Sequence, residues 1–225
     1  MRILRSELFI CIPIALSLSG CRGGIGHISM DDALDITAVE ILAPGGSVRI
    51  DSVRPGLGVT GEHRLDGAGA QGRASVTLRE DGVLQVGSVC LPVAPCRLDL
   101  ALSIPETMPV SVDLGAGDVV TAGVANVDVL VDRGDVSVMG AYNTTVRIGE
   151  GDLQVRLAGA GKLRAVLASG DAEVAVSPGG WQVQAVAADL KMSGVSLDRL
   201  AAGSLDIHAP GGTVRVVGLE ELAAR

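Results

Sequence analysis

Five aspartates fall at nearly constant intervals in the second half of the chain: Asp118, Asp135, Asp152, Asp171 and Asp189, spaced 17, 17, 19 and 18 residues apart. They sit in the stretches "GAGDVVTAG", "DRGDVSVMG", "GEGDLQVRL", "ASGDAEVAV" and "VAADLKMSG". A repeating fold would stack these carboxylates ~4.8 Å apart. Such a column could hold Ca²⁺ through oxygen ligands, or supply an acid and a base to a glycan. The plainer role is turn chemistry, each Asp accepting hydrogen bonds from backbone N–H groups of its own turn. Like charges ~5 Å apart in water repel by only about 0.8 kcal/mol, so the stack needs no cation. Calcium-binding β-rolls also use a nine-residue repeat, which is absent here. Turn chemistry is therefore the expected role of the five, with a calcium site as the alternative.

The same repeat disposes of Arg133-Gly134-Asp135, the tripeptide that matrix proteins show to cell receptors. Gly-Asp recurs, whereas the residue before it is Ala, Arg, Glu or Ser, so Arg133 occupies a variable slot. Two stretches match the dinucleotide fingerprint, "GLGVTG" at Gly56, Gly58 and Gly61, and "GAGAQG" at Gly67, Gly69 and Gly72. Neither precedes a helical pattern, which the fingerprint requires, and a chain with 31 glycines yields such spacings by chance. No nucleotide site is expected. His27, His63 and His208 are scattered, and neither a Gly-x-Ser-x-Gly elbow nor a His-Glu-x-x-His helix occurs. No catalytic residue is assigned. An enzyme is not expected, and a glycan-active one could use only the Asp column.

The N-terminus carries Arg2 and Arg5, an apolar run from Leu8 to Leu18, and then Leu18-Ser19-Gly20-Cys21. The run is too short for a bilayer span of ~20 residues and reads as an export signal, residues 1–20. Leu-Ser-Gly-Cys matches the bacterial lipobox, in which Cys21 takes acyl chains on its sulfur and becomes the new first residue. An ordinary signal would instead leave Cys21 as a free thiol, a reactive liability on an exported protein. Arg22 after the cysteine is compatible with an outer-membrane destination. Of the remaining cysteines, Cys11 leaves with the signal, while Cys90 and Cys96 flank five residues with two prolines. In an exported chain they are expected to form a disulfide, a local clamp worth about 2 kcal/mol. A metal site there lacks a neighbouring His.

Cleavage before Cys21 leaves 16 basic and 25 acidic residues, a formal charge of −9. A surface this acidic repels phosphate backbones, and Tyr142 and Trp181 are too few aromatics for base stacking, so no nucleic-acid partner is expected.

Residues 21–33 are Gly-rich and polar, suited to a flexible tether. From 34 to 218 short Val, Leu, Ile and Ala alternations are broken by Gly, Asp and Pro, with no sustained helical period. This predicts one all-β domain, irregular over 34–114 and regular over 115–218, with "RPGLGVTGEHRLDGAGAQGR" as its longest loop and residues 219–225 as a cap or tail. The near-constant period predicts a single-stranded parallel β-solenoid with coils of 17–19 residues. The alternative is an antiparallel meander or sandwich, each Gly-Asp making a hairpin.

The stretch "CLPVAPCRLDLALSIPETMPVSVDLGAGDVVTAG" and the Gly-Asp coils after it resemble the bacterial putative-adhesin family of β-solenoid envelope domains, relatives of the LiaG-like proteins. The resemblance implies an exported or envelope-anchored repeat domain with no established reaction. The expected partners are a membrane, through the anchor at Cys21, and an envelope polysaccharide or protein. Two other roles fit the same chain, a component of an envelope-stress sensor and a glycan-active enzyme.

Overall fold

The computed structural model describes residues 25–30, 35–53, 58–66, 73–89 and 96–222. Cys21, Cys90, the export signal and the glycines at 56, 67, 69 and 72 lie outside the described residues. In chain order the strands are β1 Ile25–Met30, β2 Ala38–Ala43, β3 Gly46–Val53, β4 Val59–Asp66, β5 Arg73–Leu78, β6 Val83–Val89, β7 Arg97–Pro105, β8 Val110–Ala122, β9 Asn126–Arg133, β10 Val136–Glu150, β11 Leu153–Ser169, β12 Ala172–Val176, β13 Gly180–Ser193, β14 Ser196–Leu197 and β15 Gly203–Gly218. One helical turn, α1 Leu219–Leu222, follows them. The described chain is all-β, as the Val-rich alternation predicts, since branched side chains suit a pleated, half-buried surface.

All fifteen strands belong to one mixed sheet. Two parallel ladders run through it. The first passes through β6, β2, the start of β8, β9, the ends of β10 and β11, and the starts of β15 and β13. The second passes through β7, β3, the end of β8, the starts of β10 and β11, β12, and the ends of β15 and β13. A chain that leaves one ladder at a glycine corner enters the other, and the pair makes one rung. In the regular region Val110 faces Val127, Val127 is aligned with Thr144, and Thr144 with Leu163, steps of 17, 17 and 19 residues.

The rungs depart from chain order at both ends. The β2–β3 rung lies between β8 on one side and β6 with β7 on the other. At the far end β15 lies between the β11–β12 rung and β13. Antiparallel strands close the first end, β4 along β7 with β1 outside it, and β5 along β6. Two expectations are corrected here. Ile25–Met30 is not tether but strand β1, because Ile28 is apolar and buried. The long loop contains β4, whose Val59 and Leu65 reach the core.

Inward residues of both ladders form one continuous core; Val127, Val129 and Val131 are buried, as are Val136 and Val138. The corner between ladders fixes the backbone more tightly than the core does. Gly117, Gly134, Gly151 and Gly170 have φ of 132, 138, 143 and 124°, a region that L side chains rarely adopt. A Cβ on Gly134 would stand 1.9 Å from the carbonyl oxygen of Gly117, and one on Gly151 2.0 Å from that of Gly134. Gly134→Ala should therefore cost roughly 2–4 kcal/mol, through backbone strain and a clash with a neighbour that cannot move. Gly211→Ala, where nothing lies within 4 Å, should stay within about 0.5 kcal/mol of the parent. Urea unfolding followed by circular dichroism measures both.

Candidate functional site

Each corner glycine is followed by a residue whose side chain leaves the sheet toward solvent, and in the regular rungs that residue is Asp. Here the expected turn chemistry changes form. The Asp carboxylates do not bond within their own turns. Asp118 Oδ1 accepts the backbone N–H of Asp135 at 3.0 Å, Asp135 Oδ1 that of Asp152 at 2.8 Å, and Asp152 Oδ1 that of Asp171 at 2.8 Å. Asp171 Oδ1 then accepts from the N–H of Thr213 at 2.7 Å. Parallel stacking explains the difference, because it brings the corner N–H of each rung over the carboxylate of the preceding one.

The first four aspartates are thus brought together in one column. Asp189 occupies the same position on the outermost rung, but Thr213 of β15 is paired with it and separates it from Asp171. At the opposite end the column continues through Ser47, whose N–H donates to Asp99 Oδ1 at 3.0 Å and which aligns with Asp118. The Gly-Asp pattern passes over Ser47, Asp99 and Thr213. A usable signal existed: "APGGSVR" and "APGGTVR" place Gly46-Ser47 and Gly212-Thr213 at equivalent corners. Asp99 has no glycine before it and carries no such mark.

Beside the column runs an open groove of about 900 Å³. Its floor is a second register column, in which Val120, Ser137, Gln154, Glu173, Arg215 and Lys191 stand on successive rungs. The groove is acidic along most of its length and basic at the β13 end. Such an array offers hydrogen-bonding groups every ~4.8 Å along a rigid wall. No histidine or cysteine lines it. Among the described residues no group of three or more His, Cys, Asp or Glu converges as a metal site.

Arg133 ends β9, Gly134 and Asp135 form the one corner that leads into β10, and Asp135 has one carboxylate oxygen committed to Asp152. Gly58 precedes β4 and Gly61 lies inside it, a strand rather than a helix N-terminus. Cys96 is buried at the entry to β7. Of the histidines, His208 is exposed on β15, and His27 on β1 stands 3.4 Å from Glu62. His63 points inward from β4 with Gly26 beneath its ring, and its buried Nδ1 has no hydrogen-bond partner. Burial, and secondarily the nearby His27, hold its pKa below the ordinary 6.5.

No family profile matches the chain, and no curated protein does. Solved structures do show similarity. A putative cell adhesion protein from Clostridium sporogenes aligns at 11% identity and a TM-score of 0.40, covering 88% of this chain and 100% of its own. A putative adhesin from Parabacteroides merdae aligns at 9% identity and a TM-score of 0.28, over 86% of this chain and 95% of its own. Another from Parabacteroides distasonis gives 11% and 0.27, over 87% and 97%. Functional conclusions therefore rest on this chain's own geometry.

Two stability measurements test the site. Asp152→Ala should lose about 1 kcal/mol, since the Asp171 N–H loses its acceptor, while Asp152→Asn keeps an oxygen and removes a charge, so it should match or exceed the parent at low salt. For His63, the folded pKa lies below the unfolded one, so the unfolded chain binds more protons. Its contribution is fully present above pH 6.5 and is lost as pH falls below that value, toward the lower folded pKa. His63→Leu should flatten that part of the stability–pH profile, read by chemical denaturation from pH 7.5 to 5.

Proposed function

We propose that this chain is a lipid-anchored, non-catalytic binding protein of a bacterial envelope, adhesin-like or a scaffold. In this reading the parallel ladders are a β-solenoid, closed at one end by β1, β4 and β5. The groove along the Asp column receives an extended envelope polysaccharide. The observation that carries the reading is the column itself: carboxylates wired rung to rung by backbone hydrogen bonds, flanking side chains that recur in register along an open groove. A repetitive, rigid wall suits a repetitive, extended ligand. Carboxylate oxygens committed to backbone N–H groups favour holding a ligand over turning it over.

Anchoring at Cys21 is supported by the lipobox sequence and by chain length. β1 begins at Ile25, so no more than ~14 Å of chain separates the lipidated residue from the closed end of the stack. The β13 end would then stand outward, roughly 35 Å further along eight rungs. Pairing of Cys90 with Cys96 belongs to the same proposal, since buried Cys96 at the start of β7 would pin the loop that returns the chain to the core.

Binding of the soluble Arg22–Arg225 fragment to isolated envelopes and to their extracted polysaccharide, with and without Ca²⁺, is the test. Saturable polysaccharide binding is expected, weakened about tenfold by Gln154→Ala combined with Glu173→Ala, the loss of one or two good hydrogen bonds. Arg164→Ala, on the other ladder, should leave it unchanged. A calcium requirement would make the Asp column a cation site. Absence of binding to both fractions would overturn the reading.

A further inference from the structure

The two ends of the stack are finished differently. At the first end, antiparallel strands cover β6 and β7, and the inward residues there, such as Leu84 and Leu98, are 0% exposed. At the other end β13 is the last long strand. Only Gly180 and Trp181 have a partner strand on its outer side, the two-residue β14. From Val183 to Ser193 no strand among the described residues pairs with that edge. The side chains show the same incompleteness. Val214, one rung in, is 0% exposed, whereas its register partner Leu190 on β13 is 46% exposed. Met192, the next inward residue of β13, is only partly buried, whereas its register partner Val216 is 0% exposed, and Leu200 just beyond β14 is 93% exposed. Natural sheets cover, shorten or charge such an edge, because its free N–H and C=O groups template further pairing.

The charges on this edge are few and ordered. Asp189 and Lys191 flank Leu190, both on the outward face, 2.8 Å apart across one intervening residue. A strand with that pattern is complementary to its own copy. When two β13 strands pair antiparallel about a twofold axis at Leu190, each Asp189 stands opposite the other copy's Lys191, and Leu190 and Met192 of both face the same inner side. Twofold interfaces demand this reciprocity, residue i meeting j and j meeting i. The chain already accepts antiparallel strands on its rungs at the other end.

We propose that the β13 edge is a self-association surface, through which two copies join end to end by antiparallel β13–β13 pairing. The pair extends the sheet across the twofold axis and covers Leu190 and Met192 of both copies. This inference does not depend on the groove or the lipid anchor, and it fails or stands separately from the polysaccharide reading.

Sedimentation equilibrium of the full-length protein in detergent tests it. The expected mass is twice that of the protomer. Lys191→Asp and Asp189→Lys each set like charges opposite one another at two symmetry-related positions and should weaken self-association about tenfold. An equimolar mixture of the two variants should restore it, as a heterodimer only, because the two acidic side chains of one copy then stand opposite the two basic side chains of the other. An ion pair acting within one chain could not produce that rescue. Leu190→Lys, at the twofold axis itself, should weaken the pair as well, and circular dichroism of each variant confirms an unchanged fold. A monomeric parent at tens of micromolar, variants that associate like the parent, or a mixture no tighter than its components would overturn the proposal.

Discussion

The repeat depends on how closely its backbones stack at the corner glycines. Each carbonyl at a corner occupies the space where a Cβ of the next rung's glycine would be, and this happens at Gly46, Gly117, Gly134, Gly151, Gly170 and Gly212 in turn. Everything else in the repeat is organised around that contact. Because the corner is fixed, the following residue always leaves the sheet at the same place, and the strands on either side always enter their ladders in the same register. The small Val, Leu and Ala side chains of the core are adapted to a spacing that the glycines impose.

Once the corners coincide, the column of carboxylates follows, and with it a conflict between two terms. Stacked charges repel weakly through water, on the order of 1 kcal/mol or less per neighbour. Each also accepts a charge-assisted hydrogen bond from the rung beyond, a contact of comparable or greater worth. The hydrogen bond wins because the N–H would otherwise be left to solvent at a corner with no strand partner. Where the stack departs from chain order, the residue type changes: Ser47 and Thr213 occupy the column where neighbouring rungs come from distant parts of the chain.

Much of this was legible in the sequence. The all-β class follows from the alternation, and the repeat positions follow from Gly-Asp at intervals of 17 to 19 residues. The carboxylate partners did not follow, because turn chemistry seen in one period gives no hint that the acceptor serves the next rung. Strand order was also hidden. Spacing from Asp171 to Asp189 continues the repeat, yet the rung above Asp171 is the one bearing Thr213, 42 residues on. Short-range periodicity cannot reveal that a later segment has entered between two earlier ones. β1 and β4 were missed since their glycines and polar residues read as loop, while what orders them is pairing remote in sequence, β4 with β7 and β1 with β4.

The insertion of β15 between β12 and β13 bears on synthesis and assembly. As the chain emerges, β13 exists before β15 does, and the exposed side of β12 is then a ready partner for it, since both carry the same apolar alternation and the same corner spacing. Stacking in chain order would be the fast, local solution, and the native order requires that it be deferred or undone. The final sixteen residues of strand thus act as an interior course laid last, beneath one already made. A chain lacking them would keep its outer surface segments and lose a layer from its middle.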